Sequence, residues 1–308
     1  MIRHFLGLKG MKQKEMLSLV KAGIKVKKNP GRFASSMKNR NLLMLFEAPS
    51  LRTRLSFEIG MSQMGGHAIY YQLSESTLGK KEDIREFSRV VSRYADLVMA
   101  RIYDHGMLEK MAAYSEIPVI NGMTNDEHPC QVISDLMTIW EKKKTFNVKL
   151  AYLGDGFNNV THSLLYGCAL VGMDISLASP KGKEYEPAVG VVSTAKKFAR
   201  ASGSRIEITN DPKEAAKDAD IIYTDSWMSY RIPHSMEKRR AKIFSPYQVN
   251  SKLMHLAKKD VLFMHCLPAT RGREVTDDVI DSKQSTIIDQ AENRMHAQKA
   301  LLLWLMKK

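Results

Sequence analysis

The chain has 308 residues, 47 of them Lys or Arg against 33 Asp or Glu, and a formal net charge of +14. That length calls for two domains of about 150 residues each; the absence of an apolar run near the ~18 residues of a membrane span or of a signal-peptide pattern, and three isolated cysteines (Cys130, Cys168, Cys266) without a C-x-x-C, argue for a cytoplasmic protein with neither disulfide framework nor structural zinc. The positive charge is spread over the whole length, with short clusters at Lys142 to Lys144 and Lys238 to Arg240, so a small anionic substrate accounts for it better than a nucleic acid does.

In chain order, residues 11 to 24 read as a helix and 25 to 33 as a basic loop. The apolar run Leu42 to Phe46 predicts a buried strand, broken by Pro49-Ser50. A helical pattern starts at Leu51, with Leu55 and Ile59 on its apolar face, so Ser50 sits where an N-cap belongs. The first turn carries Arg52, Thr53 and Arg54 instead of acidic residues. Free N–H groups, two hydroxyls and the guanidinium groups of Arg52 and Arg54 are then expected to converge on one anion, a phosphate by preference.

Gly65-Gly66 ends this helix, and strands are predicted at 67 to 73, 97 to 102 and 117 to 121, separated by helices at 83 to 94 and 107 to 115. Such alternation predicts a parallel α/β sheet, with ligands beyond the carboxyl ends of its strands. Arg101 and the loop holding His128, Pro129, Cys130 and Gln131 fall at those ends. A helix from 131 to 143 follows, and residues 144 to 148 read as the domain boundary.

The second half repeats the pattern. Strands are expected at 148 to 153, 174 to 178, 205 to 209, 221 to 224 and 261 to 264, and helices at 160 to 171, 186 to 201 and 212 to 218. A long polar loop follows Asp225, and a final helix covers 291 to 306. Gly154-Asp155-Gly156 resembles part of a dinucleotide fingerprint, but Asn159 stands where the third glycine belongs, which disfavours a nicotinamide cofactor. Asn159, Asp225, Ser229 and Cys266 all follow strand ends. Carboxylate, amide and hydroxyl suit the ammonium and carboxylate of an amino acid. Cys266 has two readings, covalent nucleophile or structural thiol.

The motifs F-E-A-P-S-L-R-T-R-L-S-F-E, S-R-Y-A-D-L-V-M-A-R, H-P-C-Q, G-D-G-F-N-N, T-D-S-W-M-S, F-M-H-C-L-P and A-E-N-R-M-H-A-Q-K-A-L resemble, in order and over nearly the whole chain, those of the aspartate/ornithine carbamoyltransferase family. The resemblance implies two doubly wound α/β parallel-sheet domains joined by bridging helices. These are a carbamoyl phosphate-binding domain (1 to 144), an ornithine-binding domain (145 to 290) and a C-terminal helix (291 to 308) returning to the first. It further implies carbamoyl transfer from carbamoyl phosphate to the δ-amine of L-ornithine, giving citrulline and phosphate within arginine metabolism, by a homotrimer with shared active sites and without metal or organic cofactor.

Carried over motif by motif, Ser50, Leu51, Arg52, Thr53, Thr77, Arg101, His128, Gln131, Cys266, Leu267 and Arg294 would bind carbamoyl phosphate. Asn159, Asp225, Ser229 and Tyr230 would bind ornithine, and Arg101, His128, Asp225 and Cys266 would act in catalysis. Three departures stand out: Leu51 for the threonine of S-T-R-T-R; Thr77 with Lys80-Lys81 in the loop that serves a neighbouring subunit; and Tyr230-Arg231 where the ornithine loop carries methionine and glycine. The last opens the alternative of another amine, putrescine or an N-acylornithine. A dehydrogenase and a non-catalytic carbamoyl phosphate sensor are the rival classes.

Overall fold

The computed structural model describes residues 2–75, 82–230 and 232–307. They form two compact units, one of Met1–Gly10, Leu17–Met137 and Asn293–Lys308, the other of Met11–Met16 and Thr138–Glu292. Three helices, α1 (Gln13–Lys28), α5 (Pro129–Lys143) and α12 (Ile287–Met306), carry residues of both.

The first unit is built on a parallel sheet of β1 (Asn41–Phe46), β2 (His67–Gln72), β3 (Leu97–Arg101) and β4 (Val119–Met123), in the order β2-β1-β3-β4. β3, between β1 and β4, is buried throughout, as a central parallel strand covered on both faces must be, and β4, at one edge, is buried with the N-terminal segment running beside it through Phe5 and Ile120. β2, at the edge, alternates exposed and half-buried residues. Helices α2 (Leu51–Ser62), α3 (Ile84–Tyr94) and α4 (His105–Tyr114) connect the strands, and Phe87, Val91, Leu108 and Met111 pack with Val98 and Ala100 in the core.

The apolar stripe expected to bury α2 lies outside. Leu51, Leu55 and Ile59 are 68%, 42% and 42% exposed, whereas Thr53, Ser56, Phe57, Gly60 and Met61 face inward. Both sets recur at helical spacing, and the smaller, more polar face is the buried one. Gly60 shows why: a Cβ there would already touch the Lys299 side chain at 3.4 Å. A larger side chain at position 60 itself would press on Lys299, while Phe57 and Met61 fill the rest of the inward face.

The second unit has β5 (Lys149–Leu153), β6 (Asp174–Ala178), β7 (Ile206–Thr209), β8 (Ile221–Tyr223) and β9 (Leu262–Met264), all parallel, in the order β7-β6-β5-β8-β9. Helix α6 (Asn159–Val171) is buried from Val160 to Val171, and α7 (Val189–Ser202) and α8 (Pro212–Ala216) complete the alternation. The segment read as one long polar loop after Asp225 instead folds into α9 (Glu237–Phe244), α10 (Ser251–Met254) and short 3-10 turns, with α11 (Asp277–Ile280) after β9. These pieces are too short and too rich in charge to show a periodic pattern.

In each sheet the strand order reverses at one place, between β1 and β3 and between β5 and β8. Doubly wound sheets bind ligands in the crevice beyond the strand ends at such a point. Among the described residues no helix is long and apolar enough to cross a membrane.

Candidate active site

At the first reversal, β1 ends at Phe46 and the chain turns through Pro49 into α2. Ser50 has extended backbone, and its Oγ accepts from Thr53 N at 3.3 Å, the N-cap bond its position requires. This turn is latched onto the end of β3: Glu47 N donates to Arg101 O at 2.9 Å, and Arg101 Nε donates to Ala48 O at 3.2 Å. The register of β3 against β4 shifts between Ala100 and Arg101, an irregularity of the kind that re-aims a side chain beside a site.

The cations that gather here are not the pair expected from spacing alone. Arg54 donates to Glu58 Oε2 at 3.0 Å and stacks over the ring of Tyr70, which engages it on the helix surface. Arg101 and Arg294 converge instead. Thr53 Oγ1 receives Arg294 Nη2 at 2.8 Å and Arg101 Nη1 at 3.5 Å, and lies 3.0 Å from Ser50 Oγ. Arg52 contributes a buried Nε with no hydrogen-bond partner among the described residues. Leu51 turns its side chain to solvent, leaving its backbone N–H as the contribution its position can make.

His128 and Gln131, at the start of α5, are buried with Arg101 and Arg294 in the same unit. Burial first, then the charges of Arg294 and Arg101, hold His128 well below its ordinary pKa, so the imidazole is neutral and keeps one N–H to donate. Gln131 Nε2 donates to Asp135 Oδ1 at 2.8 Å, and its Oε1 is an acceptor without a protein partner among the described residues. Cys130, between them, donates to Asn121 O at 3.2 Å, and burial raises its pKa to about 12, an inert structural thiol.

At the second reversal the chemistry changes sign. β8 delivers Asp225 and β9 delivers Cys266, and the thiol donates to Asp225 Oδ1 at 3.0 Å. His265 is fully buried: its N donates to Gln290 Oε1 at 3.0 Å, its Nδ1 accepts from Leu267 N at 2.9 Å, and its Nε2 lies 3.5 Å from Glu274. Asp225, His265 and Cys266 have ligand atoms within 4.8 Å of one another. His265 Nδ1 is committed to the Leu267 N–H, so the imidazole shapes the backbone at Cys266 and Leu267.

Asn158 caps α6 by accepting from Thr161 N at 2.8 Å, and its Nδ2 donates to the hydroxyl of buried Tyr152. Asn159, the first residue of α6, is half-buried beside it. Ser229 carries a buried Oγ without a partner among the described residues, and Tyr230 is 53% exposed. Thr77, Lys80, Lys81 and Arg231 lie outside the described residues.

The G-D-G turn has a structural use. A Cβ on Gly156 would meet Tyr185 O at 2.6 Å and Pro187 Cδ at 2.9 Å, so the glycine lets the 185–187 segment approach the turn closely. Asp155 meets Arg240 Nη2 at 2.5 Å, and Arg240 Nε donates to Trp227 O at 2.6 Å. Arg240 thus pins the G-D-G turn to the loop that carries Asp225 and Ser229. In the sequence it is hidden inside the basic cluster of Lys238 to Arg240; its one signal is Phe244, four residues on and fully buried on the same helical face.

The fold is that of a two-domain α/β transferase of the carbamoyl-group class. Residues 3–141 match the family model described as aspartate/ornithine carbamoyltransferase, carbamoyl-P binding domain, and residues 146–305 the one described as its Asp/Orn binding domain. The chain belongs to the aspartate/ornithine carbamoyltransferase family. It is 47% identical to the ornithine carbamoyltransferase of Methanocaldococcus jannaschii over 99% of both chains, and 51% identical to the anabolic ornithine carbamoyltransferase of Pyrococcus furiosus over 88% of this chain and 85% of that one. The solved structure of the Pyrococcus furiosus enzyme superposes with a TM-score of 0.92 at 47% identity, covering 97% of this chain and 96% of that one. The anabolic enzyme of Campylobacter jejuni gives 0.92 at 36% identity over 99% of each.

Proposed function

We propose that this enzyme transfers the carbamoyl group of carbamoyl phosphate to the δ-amine of L-ornithine, giving L-citrulline and phosphate. The observation that carries the reading is the convergence of Arg101 and Arg294 on Thr53 at the N-terminus of α2, beside a neutral His128. Backbone N–H groups of α2 and the guanidinium groups suit a phosphate dianion. Gln131 Oε1 is the acceptor that a carbamoyl NH2 needs, and His128, Arg101 and Thr53 are the donors for its oxygen. As the amine attacks, the C–N bond forms, charge collects on the carbonyl oxygen, and those donors stabilise it. The C–O bond to phosphate then breaks, and the proton lost by the amine leaves with hydrogen phosphate.

Asp225, with the Cys266 thiol donating to it, binds and orients the amine end, while Asn159, Ser229 and Tyr230 take the amino-acid end. We assign carbamoyl phosphate to residues 1 to 144, ornithine to 145 to 290, and Arg294 to the helical segment 291 to 308 that completes the first site. The names of the relatives favour ornithine over putrescine or an N-acylornithine, and the two anabolic names favour the biosynthetic direction toward arginine.

A homotrimer in the cytoplasm fits the family resemblance and the uncovered Leu51, Leu55 and Ile59 on α2, an apolar stripe suited to a second copy. Sedimentation of the wild-type chain and of Leu55→Asp tests that association. An amine panel assayed for ureido product tests the substrate: turnover is expected with L-ornithine, and faster turnover with putrescine or N-acetylornithine would replace it.

A further inference from the structure

Glu127 is a buried carboxylate that the reaction above does not use, and it stands next to His128 in the chain. Its surroundings form a closed set. The N-terminal segment runs alongside β4, with Phe5 N donating to Val119 O and Asn121 N donating to Phe5 O, both at 2.8 Å. Asn121 Nδ2 then reaches Leu6 O at 2.8 Å, and Leu8 N reaches Glu127 Oε2 at 2.7 Å. Between those two anchors the loop folds on itself: Thr124 N donates to Glu127 O at 2.9 Å, and Glu127 N donates to Thr124 Oγ1 at 3.3 Å. Thr124 Oγ1 is also 3.0 Å from His105 Nδ1 on α4. Both ends of the loop that delivers His128 are thus tied to one four-residue strap, Phe5 to Leu8.

We propose that Glu127 is a positioning residue for carbamoyl transfer, pinning the His128 loop to the N-terminal strap and so fixing where the imidazole donates. This rests on the assignment of His128 to the carbamoyl oxygen. The contact is one-sided in chemistry and tight in space. Burial raises the Glu127 pKa to about 7, with Asp126 adding to the rise and the N–H groups of Leu8 and Lys9 and the Lys9 charge opposing it. A solitary carboxylate is a costly filler for a buried place, and the bond to Leu8 is what it returns. On the other side, a Cβ at Gly7 would lie 2.4 Å from Glu127 Oε1 and 2.9 Å from its Cδ, so a side chain there displaces the carboxylate.

That mutual fit supplies a two-sided test in the full chain, with Gly7→Ala, Glu127→Ala, Glu127→Gln and the double variant Gly7→Ala/Glu127→Ala. Each alanine alone is expected to lower kcat by about tenfold or more through a misplaced His128, while the affinity for inorganic phosphate stays within about twofold, because α2 and Arg52 are untouched. Glu127→Gln keeps an acceptor for Leu8 N–H and should restore kcat. In the double variant the added methyl occupies space that the carboxylate has left, so kcat should be no lower than in Glu127→Ala alone.

A wild-type kcat in Glu127→Ala, additive losses in the double variant, or equal losses of kcat and phosphate affinity would overturn the proposal. Should the wild-type chain carbamoylate no amine, the functional reading fails separately. The strap is then judged by the His128 imidazole resonance of the labelled protein, expected to move in both alanine variants and to return in Glu127→Gln; an unmoved resonance in Glu127→Ala refutes it.

Discussion

The two strand-order reversals share a topology and differ in almost everything else. At the β1/β3 reversal, cations and N–H groups close on Thr53, and Thr53, Arg101, His128, Gln131 and Arg294 are all buried. At the β5/β8 reversal, Asp225, Cys266, Asn159 and Ser229 are half-buried, and the charge supplied is negative. A parallel sheet fixes where a ligand goes; the few residues just past the strand ends fix which ligand it is.

Substitutions can break this contrast one side at a time. Arg52→Ala should give the largest loss, lowering kcat/KM for carbamoyl phosphate by about a thousandfold, with phosphate binding measured by calorimetry abolished. Asp225→Asn should cost about a hundredfold in kcat/KM for ornithine while phosphate still binds. A fall in phosphate affinity of the same size would merge the two half-sites into one.

Arg240→Met acts on the scaffold of the second half alone. It removes the guanidinium partner of the buried Asp155 carboxylate, so denaturant unfolding should show a loss of about 3 to 5 kcal/mol. Glu127→Gln gives a smaller, pH-dependent effect in the first half. The folded-state pKa of Glu127 is raised from 4.5 to about 7, so the stability it contributes is fully present below pH 4.5 and is lost as pH rises through 7. Above that pH the glutamine variant should therefore be the more stable, by up to about 3 kcal/mol, and below pH 4.5 the two should coincide. Leu51→Thr should change least, within about twofold in kcat/KM, because the side chain is exposed and the backbone N–H remains.

Much of this was legible before any coordinates. Ser50 announced the helix start, and the alternation of apolar runs placed the nine strands to within a few residues, because buried parallel strands are short continuous apolar stretches. What misled was periodicity without environment. Leu51, Leu55 and Ile59 mark a helical face as clearly as Thr53, Ser56, Phe57 and Gly60 do, and nothing local says which one meets the core. Arg54 and Arg240 show the same limit for charge: each is one arginine in a basic cluster. Only the fold reveals that the first lies over Tyr70 while the second is buried against Asp155. Arg294 is 241 positions from the hydroxyl it bonds, and pattern alone connects no such pair; the motif resemblance did.

That separation has a consequence in time. Ribosomes release the amino terminus first, and the compact body holding β1 to β4 includes residues 293 to 308, made after the whole second sheet. Arg294, Lys299 and Trp304, the partners of Thr53, Gln63 and Arg3, arrive only after the whole second sheet has been synthesised. The first domain begun is therefore completed late, and a chain stalled anywhere before α12 lacks the arginine of that helix that bonds Thr53.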